Sequence, residues 1–141
     1  MVQKTIDMKF MRYINLFEQV SHVPTTNCFV YNNSIIFAVP RNAISKAIGK
    51  KGVNVRRMNE ILRRRIKIIA MPNSPQDMER FVIDLIDPAE ISRVELQQDG
   101  NVIISGNRQN KAILIGRDRT REKELEDILK KFFEIQKLRI I

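Results

Sequence analysis

Apolar positions recur along the chain with two different spacings, and their order predicts the secondary structure. Residues 5–20 carry apolar side chains at steps of three and four, which is typical of an amphipathic helix. Two short β-prone runs, 28–31 and 34–39, flank Asn32-Asn33, and asparagine tolerates the left-handed backbone of a tight hairpin turn. The first half then continues with predicted helices over 42–48 and 53–64 and a predicted strand over 66–70.

The second half of the chain repeats this order. The segment Pro72-Asn73-Ser74-Pro75 is the strongest boundary signal, because prolines and turn-forming residues interrupt both spacings. A shift of 67 residues places Ile48 on Ile115 and Gly49 on Gly116. We therefore expect an α+β fold made of two copies of one small unit, residues 1–72 and residues 73–141. The predicted elements of the second unit are a helix over 76–86, strands over 91–97 and 102–105 around Asp99-Gly100, helices over 109–115 and 120–134, and a strand over 138–141.

The positive charge of the chain is concentrated in one segment. The formal net charge is +9, and residues 41–67 alone contain ten basic side chains and one acidic side chain, Glu60. The rest of the chain is therefore neutral. Because a protein that is only generally basic would spread its charge, this concentration predicts a polyanionic partner.

The centre of the basic segment is the sequence Gly49-Lys50-Lys51-Gly52, between the predicted helices 42–48 and 53–64. Glycine has no Cβ and accepts positive φ, so a loop of this kind can approach a phosphodiester backbone closely. The second helix starts at the loop, which directs the positive end of its dipole at a bound anion. The spacing differs from that of a nucleotide-binding P-loop, which needs four residues between its glycines and a following Lys-Ser or Lys-Thr.

These residues resemble the I-G-x-x-G signature of the KH domain, carried here by Ile48-Gly49-Lys50-Lys51-Gly52. With helix-strand-strand ahead of the helix pair, the order is similar to the type II arrangement, which implies a three-stranded sheet with helices on one face. Two such units fill essentially the whole chain, as in archaeal NusA-like proteins, and the stretches MRYINLFEQV and SIIFAV also resemble that family. The resemblance implies a protein that binds single-stranded RNA in transcription elongation, termination or antitermination.

The resemblance and the topology together predict the contact residues. The loop would clamp about four nucleotides, while an apolar groove beside it, with the strand 66–70 along its floor, would meet the bases. Core packing is the alternative interpretation of the apolar members of this set. The residues that we expect to contact RNA are Ile44, Lys46, Ile48, Gly49, Lys50, Lys51, Gly52, Val53, Arg56, Arg57 and Ile68.

The second unit departs from the signature in its loop, Gly116-Arg117-Asp118-Arg119. Arginine replaces the second glycine, and we expect its Cβ to disfavour the open loop geometry. Asp118 would repel a phosphate. We expect weaker, charge-based contacts from Gly116, Arg117, Arg119 and Arg121, and therefore an unequal pair of units.

Other functional classes find little support in the sequence. His22 and Cys28 are the only imidazole and thiol, which cannot build a metal site with the usual ligand count, and no nucleophile or paired-carboxylate arrangement is present. We expect no enzymatic activity, no cofactor and no metal. No apolar run approaches the roughly 20 residues of a membrane helix, and the first residues lack the apolar core of a signal peptide. We therefore expect a cytoplasmic monomer.

Two alternatives remain open at the level of the sequence. A KH-fold protein could bind RNA in ribosome assembly, or it could dock on RNA polymerase or the ribosome as an adaptor. RNA polymerase is a candidate partner on the resemblance alone. The polymerase-binding and S1 domains of bacterial NusA do not fit within this chain, so we do not expect that contact to carry over directly.

Overall fold

The computed structural model describes residues 8–141 and divides the chain into two compact units, Met1–Met71 and Pro72–Ile141. The division falls immediately before the Pro72–Pro75 segment. The first turn of the helix predicted over 5–20 lies outside the described residues. Within the described residues, each unit contains three α-helices and one three-stranded sheet.

The first unit has the order helix, strand, strand, helix, helix, strand. Its sheet is ordered β1-β2-β3, with β2 antiparallel to β1 and parallel to β3, so that β3 is an edge strand. Asn32 and Asn33 both have positive φ, 49° and 67°, which is the backbone of the tight hairpin turn that the sequence predicts. The elements are α1 Met8–Ser21, β1 Asn27–Tyr31, β2 Ser34–Val39, α2 Ile44–Ile48, α3 Val53–Leu62 and β3 Ile66–Ala70.

The core of the first unit lies between its helices and one face of its sheet. The ring of Phe17 on α1 stacks on that of Phe37 on β2, with centroids 4.4 Å apart and an interplanar angle of 22°. Ala47 on α2 and Met58 on α3 are fully buried in the same cluster. The helices thus cover one face of the sheet, and this packing fixes where α2 and α3 meet.

The second unit has the same order and the same strand pairing. Its sheet is ordered β4-β5-β6, with β5 antiparallel to β4 and parallel to β6. Buried residues of β5 and β6, including Val102, Ile104, Leu138 and Ile140, form its core with the apolar faces of the helices. The elements are α4 Met78–Ile86, β4 Ile91–Leu96, β5 Asn101–Gly106, α5 Arg108–Ile115, α6 Thr120–Phe132 and β6 Lys137–Ile140.

The predicted fold class is confirmed, and the differences lie at helix ends and on one helix face. The predicted helix 53–64 stops at Leu62, because Arg63 turns into the left-handed region with φ 57°. The predicted helix 42–48 begins with a 3₁₀ turn, Arg41–Ala43, that follows Pro40. The spacing of the apolar residues places Val55, Met58, Ile61 and Leu62 on one face of this helix, but the Ile61 side chain is 53% exposed while Met58 is 0% exposed.

No helix within residues 8–141 combines the length and the apolar character that a membrane crossing requires.

The burial difference on α3 predicts unequal costs of truncation. Met58→Ala should lower the free energy of unfolding of the first unit by about 2–5 kcal/mol, since it removes buried methylene groups and leaves a cavity. Ile61→Ala on the same helix should change it by no more than about 0.5 kcal/mol, as expected at the surface. Urea unfolding followed by circular dichroism measures both, and equal losses would contradict the burial assigned to α3.

Candidate nucleic-acid interface

The first loop connects α2 to α3 through four residues, three of which have positive φ. Gly49 has φ 83° and ψ 166°, Lys51 has φ 56° and ψ 27°, and Gly52 has φ 74° and ψ 22°. The Gly49 amide donates to the Ser45 carbonyl at 3.0 Å, and the Gly52 amide donates to the Gly49 carbonyl at 3.0 Å. The loop is therefore a defined tight connection that turns the chain sharply between the two helices.

Gly49 is required because α3 passes very close to its Cα. A Cβ at this position would lie 2.8 Å from Nδ2 of Asn54 and 2.9 Å from Cγ1 of Val53, closer than real Cβ contacts. The Asn54 amide in turn donates to the carbonyls of Lys46 at 3.2 Å and Ala47 at 3.1 Å. This side chain therefore holds the start of α3 against the end of α2.

Sequence reasoning missed Asn54. Its only signal in the sequence is a side-chain amide at the second position of the helix that follows the loop. Its two hydrogen bonds to the preceding helix can be recognised only when both helices are in place.

Gly52 is subject to a weaker constraint. A Cβ there would meet only Nη1 of Arg56, at 3.7 Å, which is an ordinary contact. Its left-handed φ favours glycine, but the space around it is open.

The loop and the first turns of α3 present basic side chains to solvent. Lys46, Lys50, Lys51, Arg56 and Arg57 are all exposed. Within residues 8–141, none of these five side chains forms an ion pair with a carboxylate. The Arg56 guanidinium donates to the Lys51 carbonyl, which folds that side chain across the loop. The predicted basic residues are thus brought together around one loop.

The predicted apolar residues are divided between the core and the surface. Ile44 and Ile68 are partly buried and pack against the core of the first unit, and α2 lies against the edge strand β3. Ile48 is partly buried at the end of α2, while Val53 is 46% exposed beside Gly49. Ile44 and Ile68 thus pack inward, and each keeps some accessible surface.

The loop of the second unit adopts the same backbone in spite of its different sequence. Gly116 has φ 74° and ψ 174°, Asp118 has φ 55° and ψ 30°, and Arg119 has φ 60° and ψ 24°. Arg119 therefore forms the loop geometry that Gly52 forms in the first unit, although a side chain with left-handed φ is strained. Gly116, by contrast, cannot be replaced, since its Cβ would lie 2.7 Å from Cβ of Arg121.

The cations of the second loop are largely neutralised within the loop region. Nη1 of Arg119 lies 2.6 Å from Oε1 of Glu122, and Nη1 of Arg121 lies 2.6 Å from Oε1 of Glu124. Glu122 is only 5% exposed, and its other oxygen accepts a hydrogen bond from the Ile140 amide at 2.9 Å. Arg117 is exposed next to Asp118, and its carbonyl accepts a hydrogen bond from the Thr120 hydroxyl at 2.6 Å. The two loops thus share a backbone and differ in available charge.

Metal-ligating side chains do not cluster in the part of the chain that the structure describes. No group of three or more His, Cys, Asp or Glu residues is placed to hold an ion there.

The element order, the sheet pairing and the tight loop between two helices define each unit as a KH domain of type II, and the chain as a tandem pair. Comparison with known proteins points to the same class of domain. Residues 19–75, which lie mostly in the first unit, match the family model of the NusA-like second KH domain. The chain is thus similar to archaeal NusA-like proteins with KH domains.

Similar proteins extend the likeness over most of the chain. It is 27% identical over 116 residues to the "Probable transcription termination protein NusA" of Halococcus morrhuae, an alignment that covers 81% of each protein. It is 25% identical over 132 residues to the protein of the same name from Methanocaldococcus jannaschii, covering 91% of this chain and 70% of that protein. A solved structure titled "Crystal structure of APE1850" superposes with a TM-score of 0.67 at 26% identity, covering 96% of this chain and all of that chain.

The different packing around the two loop glycines predicts different costs of adding a methyl group. Gly49→Ala should destabilise the first unit by about 3 kcal/mol, since it combines a steric overlap with a backbone conformation that only glycine adopts readily. Gly52→Ala should cost about 1–2 kcal/mol, because only the left-handed φ opposes it.

Chemical denaturation of the two variants provides the measurement, and Gly116→Ala is the matched control. It should be about as costly to the second unit as Gly49→Ala is to the first, since both Cβ atoms would overlap the following helix. If Gly52→Ala were the most destabilising of the three, the tight contact assigned to the first glycine would be refuted.

Proposed function

We propose that the protein binds single-stranded RNA through the loop Gly49-Lys50-Lys51-Gly52 and acts without catalysis in transcription elongation, termination or antitermination. The single observation that carries the RNA-binding part is the group of exposed cations around this loop, none of which has a carboxylate partner within residues 8–141. Charges that the fold does not neutralise are available for an external polyanion.

The backbone of the loop supports contact with a phosphate group. α3 begins at Val53, directly after the loop, so the positive end of the dipole of this ten-residue helix coincides with Lys50 and Lys51. The packing of Gly49 against Asn54 fixes the loop before any ligand arrives. A preorganised loop binds more tightly than a mobile one, because less conformational entropy is lost on binding.

The apolar residues next to the loop provide a surface for bases. Ile48 and Val53 flank the loop with partly accessible side chains, and Ile44 and Ile68 continue this surface toward the edge strand β3. We infer that a strand clamped at the loop directs about four nucleotides across these residues, as KH domains do. So short a contact reads few bases, and the sequence specificity should accordingly be loose.

The second loop plays a lesser part in this proposal. Arg119 and Arg121 are each paired with a glutamate. Of the three arginines predicted to contact RNA in the second unit, Arg117 alone has no ion-pair partner among the described residues. The second unit therefore contributes weak charge-based contacts and an extended surface. The role in transcription rests on the names of the archaeal relatives, and RNA polymerase is a candidate partner on the same basis.

Reversing the charge of the first loop tests the proposal. Lys50→Asp together with Lys51→Asp should lower the affinity for single-stranded RNA by at least tenfold, since it removes two cations from the phosphate contact and adds two anions. The fold should persist, because Asp118 occupies the position equivalent to Lys51 with nearly the same φ and ψ. For the unmodified protein, log affinity should fall with log salt with a slope of about −0.7 for each phosphate neutralised.

The matched control is Lys111→Asp together with Lys123→Asp, which changes the net charge equally at two exposed positions of the second unit. It should lower the affinity by no more than about twofold to threefold, through long-range electrostatics that salt screens. Arg117→Asp should also matter less than the change in the first loop. Unchanged RNA binding by a folded first-loop variant would refute the site, and absence of RNA binding by the unmodified protein would favour a protein adaptor.

A further inference from the structure

The turn that follows α3 carries three consecutive arginines, Arg63-Arg64-Arg65. None of them belongs to the residues predicted to contact RNA. Arg63 occupies the first position after the helix and has a left-handed backbone, with φ 57° and ψ 32°. Glycine or asparagine normally fills such a position, because a larger side chain strains this conformation. Placing an arginine there works against the stability of the turn, which indicates that its side chain serves another purpose.

Hydrogen bonds hold the backbone of this turn in place. The Arg63 amide donates to the Asn59 carbonyl at 2.8 Å, and the Asn59 side-chain amide donates to the Arg64 carbonyl at 2.7 Å. The Arg64 guanidinium reaches the hairpin tip and donates to the Asn33 carbonyl at 3.3 Å. Arg64 therefore has a structural role within the unit.

The two arginines on either side of Arg64 are more exposed than it is. Arg63 and Arg65 are exposed, and no carboxylate lies within ion-pair distance of either one in the described part of the chain. They project from a backbone that is held in place on both sides, as a binding site requires.

The position of this turn relates it to the first loop. α3 has ten residues and is therefore about 15 Å long, so the turn and the loop stand at its two ends. Residue 63 follows Arg56 by seven positions, which brings it back to within about 20° of the same side of the helix. Arg56 itself bonds to the loop at the Lys51 carbonyl. Arg56 and Arg63 thus stand near the loop and at the turn, with the acidic Glu60 between them on α3.

The second unit has no corresponding arginine turn. A shift of 67 residues maps residues 63–65 onto Lys130, Lys131 and Phe132, which are still helical. Nζ of Lys130 lies 3.5 Å from Oε2 of Glu126, and the helix ends with Phe133 in an extended conformation, φ −139°. The second unit therefore forms the same fold without this turn, so the fold does not require the side chains of Arg63 and Arg65.

We propose that Arg63 and Arg65 form a second phosphate-contact site for the same single-stranded RNA that the first loop holds. A guanidinium presents a planar fork of donors that matches phosphate oxygens in a bidentate manner. A strand that leaves the loop along α3 reaches this site after spanning about 15 Å, so the footprint extends beyond the nucleotides clamped at the loop. The inference rests on the proposed function, since it assumes RNA at Gly49–Gly52.

The test compares a 4-nucleotide and a 12-nucleotide single-stranded RNA of the same composition at several salt concentrations. Arg63→Gln together with Arg65→Gln should lower the affinity for the 12-nucleotide RNA by about tenfold or more and leave the 4-nucleotide affinity within about twofold. The salt slope for the longer RNA should become shallower by about 1.4, corresponding to two phosphate contacts at roughly 0.7 each. The matched control, Arg80→Gln with Arg108→Gln, removes two exposed arginines of the second unit and should change neither affinity appreciably.

A second variant separates binding from stability. Arg63→Gly removes one cation and relieves the left-handed strain, so it should raise the melting temperature of the protein while lowering the 12-nucleotide affinity several-fold. The proposal is overturned if the double glutamine variant binds the longer RNA as the unmodified protein does, or if it weakens both lengths equally. Failure of the unmodified protein to bind the 4-nucleotide RNA would instead count against the loop site.

Discussion

The close approach of α3 to Gly49 is the contact on which the first loop depends. The position favours glycine because its φ is 83° and because a Cβ would overlap the side chains of Asn54 and Val53. The Asn54 amide then joins the two helices by bonding to the last carbonyls of α2. The second unit keeps the same approach, between Gly116 and Arg121. A steric requirement between neighbouring helices therefore explains why the first glycine is present in both loops.

The second glycine of the loop and the charges around it differ between the two units. Arg119 holds the same left-handed backbone as Gly52, so the loop shape does not depend on glycine at this position. The two loops differ in whether their cations form ion pairs. In the second unit two arginines are bound to glutamates, whereas the cations around the first loop lack such partners among the described residues. The two loops therefore have equal backbones and unequal available charge, which supports the proposal that the first loop is the main RNA contact.

Much of the fold could be predicted from the sequence, because helices, strands and tight turns depend on local periodicity and on a few residue types. Every predicted element from β1 onward lies within two residues of the observed one, and Asn32-Asn33 forms the expected turn. The misses depend on more distant contacts. The early end of α3 is fixed by Asn59 and the following turn. The exposure of Ile61 depends on how α3 is rotated against α1, which the period of a single helix does not define.

The sequence by itself determined the repeat, the order of the elements and the segment in which the positive charge gathers. These follow from composition and spacing along the chain. Only the tertiary structure decided which cations are available. The Ile140 amide binds Glu122 from 18 residues away and holds that carboxylate against Arg119. Such pairing depends on distances across the folded unit, and for that reason a count of charges along the chain could locate the basic surface but could not tell which of its side chains remain without a partner.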